Sequence, residues 1–224
     1  MKANQTGLYL LASVLIAGCT VRASLANQLT NGGFETPELS PGGALLLDGS
    51  FSAGGWHGAN VKIVNLPRPS LGINFNAFEG SQLLDLGGNG SSGGNIFQEF
   101  PTVPGQVYRV TFQYADNPLH DGPSGASFAI RNADEISSIW TDTVEHSSST
   151  TEAANFTLYS RDFTAASSLS NFILGPFGSV AANAGLFIDN VDISLVPEPS
   201  SMMLMALLAG ALLAVGRRTF ERAA

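Results

Sequence analysis

Pro104-Gly105-Gln106-Val107-Tyr108-Arg109-Val110-Thr111-Phe112-Gln113-Tyr114-Ala115 is the stretch on which the reading of this chain turns. Tyr108, Val110, Phe112 and Tyr114 alternate with Arg109, Thr111 and Gln113, and along an extended strand successive side chains point to opposite faces. Residues 106–115 are therefore expected to form a strand with one buried face, entered through a Pro-Gly turn. Shorter runs of the same kind occur at 61–65, 82–86, 96–100, 127–131, 138–141, 156–164, 171–174 and 186–195. Turn-rich segments at 41–43, 54–55, 87–94, 117–125, 147–151 and 181–185 separate them, and none of the runs has the period of a long amphipathic helix. Short strands joined by Gly, Asn, Ser and Pro turns predict an all-β chain, a β-sandwich or jelly roll. Charged residues make up only 12% of the chain, which also argues against long charged helices.

Outside this body the two ends read differently. Residues 1–26 have the form of an export signal: Lys2, an apolar run over 8–18, and the small-x-small site Ser24, Leu25, Ala26. A second reading competes, because Ile16-Ala17-Gly18-Cys19 resembles a lipobox in which Cys19 becomes the lipidated first residue. Cys19 is the only cysteine, so the body is expected to contain neither disulfide nor thiol chemistry. At the other end, Val196-Pro197-Glu198-Pro199 is followed by an apolar run over 202–215 and then Arg217 and Arg218. A helix over that run would be about 21 Å long, short of the ~30 Å hydrocarbon core, so it suits transient anchoring better than permanent spanning. The arginines would stay on the cytoplasmic side, and the prolines would keep the chain extended ahead of the membrane.

This tail resembles the PEP-CTERM sorting signal, and the resemblance implies an exosortase-type processing enzyme as partner. It further implies export to the cell surface or the exopolysaccharide matrix of a Gram-negative bacterium. The division expected is an export signal at 1–26, a folded body at 27–195 and a sorting tail at 196–224. Between residues 27 and 199, five Lys or Arg stand against seventeen Asp or Glu, a formal net charge of −12. Such a body repels nucleic acid, which is not expected as a partner.

The body also carries Asn31-Gly32-Gly33-Phe34-Glu35, Trp56, Ile96-Phe97-Gln98, the 104–112 stretch, and Phe187-Ile188-Asp189-Asn190-Val191-Asp192-Ile193. In that order they resemble the galactose-binding-like jelly rolls, among them many carbohydrate-binding modules and a domain of unknown function found in plant cell-wall and bacterial surface proteins. The fold implied is a galactose-binding-like sandwich, flanked by the signal helix and the short tail helix. The resemblance also implies a structural calcium held by Glu35 and Asp189, with Asp192 as substitute. The plainer reading has Glu35 capping a turn and Asp189 accepting a backbone amide.

For an extracellular polysaccharide partner, aromatic rings would serve as platforms and nearby polar groups as hydrogen-bonding partners. The sets available are Trp140 with Asp142, the loop with Asp116, Asn117, His120 and Asp121, and Trp56 with His57 and Asn60, where Trp56 reads more readily as core. Enzyme signatures are weak. Gly90-Ser91-Ser92-Gly93-Gly94 matches a nucleophile elbow in letters only, since a strand rather than a helix follows, and the three histidines lack zinc-site spacing. The leading expectation is a non-catalytic carbohydrate-binding surface or matrix protein. A structural matrix protein with protein partners is the alternative, and a glycan-active hydrolase the third reading.

Overall fold

The structure is a computed structural model that describes residues 26–89, 94–120, 122–133, 138–177 and 185–197. Among them are ten strands: β1 (Ala44–Ala53), β2 (Trp56–Asn65), β3 (Gln82–Asp85), β4 (Asn95–Pro101), β5 (Val107–Asp116), β6 (Ser124–Asn132), β7 (Ser138–His146), β8 (Thr157–Thr164), β9 (Leu169–Pro176) and β10 (Leu186–Leu195). All pairings are antiparallel, in the order β7-β6-β9-β4-β2-β3-β10-β5-β8, with β1 alongside β2.

That single hydrogen-bonded order folds back on itself into two leaves, and β2 is the corner. Its first half, His57 to Ala59, pairs with β4, whereas its second half, Lys62 to Asn65, pairs with β3. Between them Asn60 adopts φ 55°, and β1 skips it, pairing Leu47 with Val61 and Asp48 with Ala59. One extra residue reverses which side chains face inward, so Trp56 and Gly58 are buried before the bulge and Val61 and Ile63 after it. β10 uses the same device: Asn190 has φ 50°, and the register with β5 shifts between Asp189 and Asp192.

The leaves meet through aromatic side chains. Phe112 of β5 lies 5.0 Å from Phe128 of β6 and 6.4 Å from Phe172 of β9, measured between ring centroids. Trp56 is fully buried, packs at 5.3 Å on Phe34 and donates its indole N–H to the Asn31 carbonyl at 2.9 Å. It is therefore core, not a sugar platform. A smaller cluster of Val64, Leu83, Phe187, Ile73 and Phe75 covers the outer face of the second leaf, beneath the segment that joins β2 to β3. With both faces covered, β3 reads as a continuous buried run, Gln82 to Asp85, without alternation.

The all-β jelly-roll sandwich expected from the sequence is the fold observed. All nine anticipated strands are present, and β1 is the one the pattern omitted. Leu45, Leu46 and Leu47 stand consecutively in β1, Gly49 follows at φ 93°, and two register shifts break any period of two. Among the described residues no helix is long and apolar enough to cross a membrane. Both flanking helices, with Cys19, Glu198, Pro199, Arg217 and Arg218, fall outside the described residues.

Candidate functional site: a polar groove on one leaf

Alternation along β4, β6, β7 and β9 sends Phe128, Ile130, Phe172 and Leu174 into the core. The intervening residues face outward and line up across the leaf. His57, Phe97, Ile173, Ala129 and Thr141 are consecutive cross-strand partners, and Gly175, Ser127 and Thr143 form the next row. Small side chains in the middle of this face leave a groove of about 770 Å³. Asn60, Asn89 and Asn95 border it on one side, and Arg131 and Thr141 on the other. Asn89 is fixed by donating its backbone N–H to Asn60 Oδ1 at 2.9 Å. Gly94 lets the loop before β4 lie against the β2 corner, since a Cβ there would sit 1.8 Å from the Ala59 carbonyl oxygen. Beside the groove, His57 stacks on Phe97 at 5.4 Å. In the third row Asn171 pairs with Glu99 and Arg131, and its Oδ1 is buried with no protein partner.

The candidates named from sequence lie elsewhere. Trp140 and Asp142 share β7 with Thr141 but point to its opposite face, where β7 meets β8. The Trp140 ring packs edge-on against Phe128 at 5.7 Å and is covered by the Arg161 guanidinium at 4.7 Å. Asp142 accepts hydrogen bonds from Tyr159 Oη and Arg161 Nη1, each at 2.8 Å, and these donors, with the Thr143 amide, hold its carboxyl below the usual range. This cluster closes one open edge of the sandwich. Asn117 is buried in the loop after β5, its Oδ1 accepting the Leu119 N–H, while His120 donates its N–H to the Asn117 carbonyl in the same turn.

Glu35 and Asp189 come close enough for Glu35 to push the Asp189 carboxyl upward, although burial does most of that, raising it to about 7. Backbone amides face both groups. Glu35 accepts the Ser81 and Gln82 N–H groups at 2.9 and 2.8 Å and the Ser81 hydroxyl at 3.1 Å. Asp189 accepts the Glu79 and Asn190 N–H groups at 3.0 and 2.7 Å. Asp192 pairs across to Thr111 on β5. Among the described residues no group of three His, Cys, Asp or Glu gathers to hold a metal. Calcium takes six to eight oxygens, backbone carbonyls and waters among them, and here both carboxylates already accept amide donors.

Among the described residues a catalytic arrangement is approached once. His146 Nδ1 contacts Asp116 Oδ1 in the interior, and Ser148 Oγ lies 3.3 Å from His146 Nε2. Nε2, however, faces the Asn155 carbonyl at 3.0 Å, and a carbonyl only accepts, so that nitrogen carries a proton and cannot take one from Ser148. Burial pushes the Asp116 carboxyl up, but His146 and the Ser149 donors outweigh it and hold it below the ordinary value. The group is a buried structural pair.

An all-β sandwich with a polar groove open on one leaf is thus the class that fold and site define. The family model described as "protein of unknown function (DUF642)" matches residues 27–194, and the chain belongs to that family. The PEP-CTERM protein-sorting motif matches residues 195–218 and indicates an exported protein. No curated protein matches the chain. Among solved structures, it is similar to TmCBM61 in complex with β-1,4-galactotriose, with 23% identity and TM-score 0.46 over 77% of this chain and 99% of that one. It is also similar to the CBM22-1 xylan-binding domain from Paenibacillus barcinonensis, with 15% identity and TM-score 0.45 over 71% and 99%. A family 4 carbohydrate-binding module aligns with 12% identity and TM-score 0.43 over 75% and 99%.

Proposed function

We propose that this is a non-catalytic protein of the cell surface or exopolysaccharide matrix of a Gram-negative bacterium, which binds a polysaccharide chain along the groove over β4, β9, β6 and β7. The observation that carries the reading is the groove itself, a trough of about 770 Å³ with small residues in its middle and amide, hydroxyl and guanidinium groups on its borders. Such groups satisfy sugar hydroxyls, and the Phe97 and His57 rings beside it offer an apolar surface for a pyranose. The tail supports exosortase processing as the step that releases the body. Calcium enters only as a variable to be tested, because the carboxylates expected to hold it already accept amide donors.

The test is a glycan array probed with the purified exported protein, with calcium and again with chelator. Saturable binding to one polysaccharide class is expected in both conditions. Arg131→Ala should weaken it roughly tenfold or more, the loss of a charge-assisted hydrogen bond. Trp140→Ala should leave affinity unchanged while lowering stability by roughly 2–4 kcal/mol, since its ring is packed inside the sandwich edge. Absence of binding throughout would instead favour a structural matrix protein, whereas binding lost with Trp140→Ala and indifferent to Arg131→Ala would move the sugar site from the groove to the edge where β7 meets β8.

A further inference from the structure

The body has five cationic side chains among its described residues, and they divide in a telling way. Arg109 pairs with Asp162 and Arg161 with Asp142, whereas among the described residues Lys62, Arg68 and Arg131 make no ion pair. Arg131 borders the groove; Lys62 and Arg68 both line a second, smaller cleft of about 140 Å³ on the outer face of the other leaf. In the smaller cleft Lys62 and Arg68 stand against a single buried carboxylate, Asp85, so in a body of net charge −12 this cavity gathers two cations on one acid and has room for an external anion.

The cleft is built by the sheet and two loops. Lys62, Asp85 and Phe187 are consecutive cross-strand partners on β2, β3 and β10 and form one row of its floor. Arg68 and Leu71 come from the β2–β3 connection, and Asn117 and Leu119 from the loop after β5. Arg68 is held in place by donating Nε to the Gly42 carbonyl at 3.2 Å, which leaves the rest of its guanidinium for the cleft. Asp85 is 4% exposed and anchored through Oδ1, which accepts the Gly87 N–H at 2.8 Å. The Asn117 amide oxygen is taken by the Leu119 N–H, so its NH₂ group is what it offers to a ligand. Leu71, Leu119 and Phe187 supply apolar wall. Convergent polar groups within apolar walls are the usual character of a small-molecule site.

We propose that this cleft binds the carboxylate of a single acidic sugar residue, a uronate or a chain end carrying one. Lys62 and Arg68 would take the carboxylate, Asp85 and Asn117 the ring hydroxyls, and the apolar wall the ring face. The volume lies below the ~300 Å³ of a drug-sized site, so it admits one ring and not a chain running through. A bare inorganic anion would leave the apolar wall and Asp85 without a role. The inference rests on the carbohydrate-binding reading only for the nature of the ring, and it concerns a different leaf and different residues.

The test titrates the full chain in detergent with glucuronate and galacturonate by calorimetry, against the uronate methyl esters and inorganic phosphate. Saturable uronate binding is expected, with the esters and phosphate at least tenfold weaker. Lys62→Met, on a half-exposed strand position, and Leu119→Glu, on an exposed loop where it crowds the mouth with a like charge, should each weaken uronate roughly tenfold or more. Arg131→Ala should leave uronate affinity unchanged while it weakens binding of polysaccharide in the groove, so the two sites fail separately. No saturable uronate binding, equal affinity for ester or phosphate, or wild-type affinity in both cleft variants would overturn the proposal.

Discussion

Asp85 lies beneath the smaller cleft with its side chain nearly removed from water, and burial raises its carboxyl to about 6 against the Gly87 amide, Lys62 and Arg68, which act the other way. Asp189 is raised in the same direction, to about 7. An acid whose folded pKa lies above its unfolded value of 3.8 keeps a proton that the unfolded chain has already released. Stability from these groups is therefore full below pH ~4 and is lost as pH rises through 6 to 7. Asp116, Asp142 and Asp162 are shifted downward and act oppositely, losing stability as pH falls through the acid range. The maximum should accordingly lie near pH 4–5. Asp85→Asn keeps an acceptor for the Gly87 N–H and removes the titration. Chemical denaturation between pH 4 and 8 should show a flatter profile for the variant and a gain at pH 8 of order 3 kcal/mol, about two pKa units of linkage. A variant whose slope matches the wild type would mean that Asp85 is not the group responsible.

At the scale of elements, two strands change their inward phase by a single inserted residue. Asn60 lets β2 serve both leaves, and Asn190 lets β10 bury Ile188 and then Val191 and Ile193 toward the same core. Each asparagine has positive φ, a region that Gly and Asn tolerate and β-branched residues do not. Asn190→Gly is expected to change stability by less than about 1 kcal/mol, whereas Asn190→Val should cost roughly 1–3 kcal/mol. Equilibrium unfolding of the two variants checks this, and equal losses would show that the side-chain amide, not the backbone conformation, is what the position requires.

On the scale of the whole molecule, the beginning of the body is laced to its last strand. Asn27 donates Nδ2 to the Val191 carbonyl at 2.8 Å and accepts the Ile193 N–H through Oδ1 at 2.9 Å, and the Gln28 N–H reaches the Ile193 carbonyl at 2.7 Å. Leu29 and Phe34 then enter the core, and Gln98 brackets Thr30 from both sides, accepting its N–H and donating to its carbonyl. At the far end, Val196 makes a last ladder bond to Val107 at 2.8 Å, and Pro197, which has no N–H, ends the ladder where the sorting motif begins. A chain starting at Asn27 should keep full stability, while one starting at Glu35 should lose roughly 3–6 kcal/mol, the burial of Leu29 and Phe34. Denaturant melts of the two exported forms would decide, and equal midpoints would mean that this lacing contributes nothing.

Strand content, the buried face of β5, the burial of Trp56 and the sorting tail follow from sequence alone, because alternation, turn residues and terminal order are local properties. The binding surface does not. Trp140 and Thr141 are neighbours in sequence, yet one closes the sandwich edge and the other borders the groove, since adjacent residues of a strand face opposite ways and only the packing of the leaves decides which face is covered. Asn117 comes to line the small cleft with Lys62 and Asp85 only because β2, β3, β10 and β5 are neighbours in the sheet. The groove could not be read from aromatic residues, because its middle consists of Gly175, Ser127 and Ala129, whose significance is the space they leave, and space is a property of the tertiary structure.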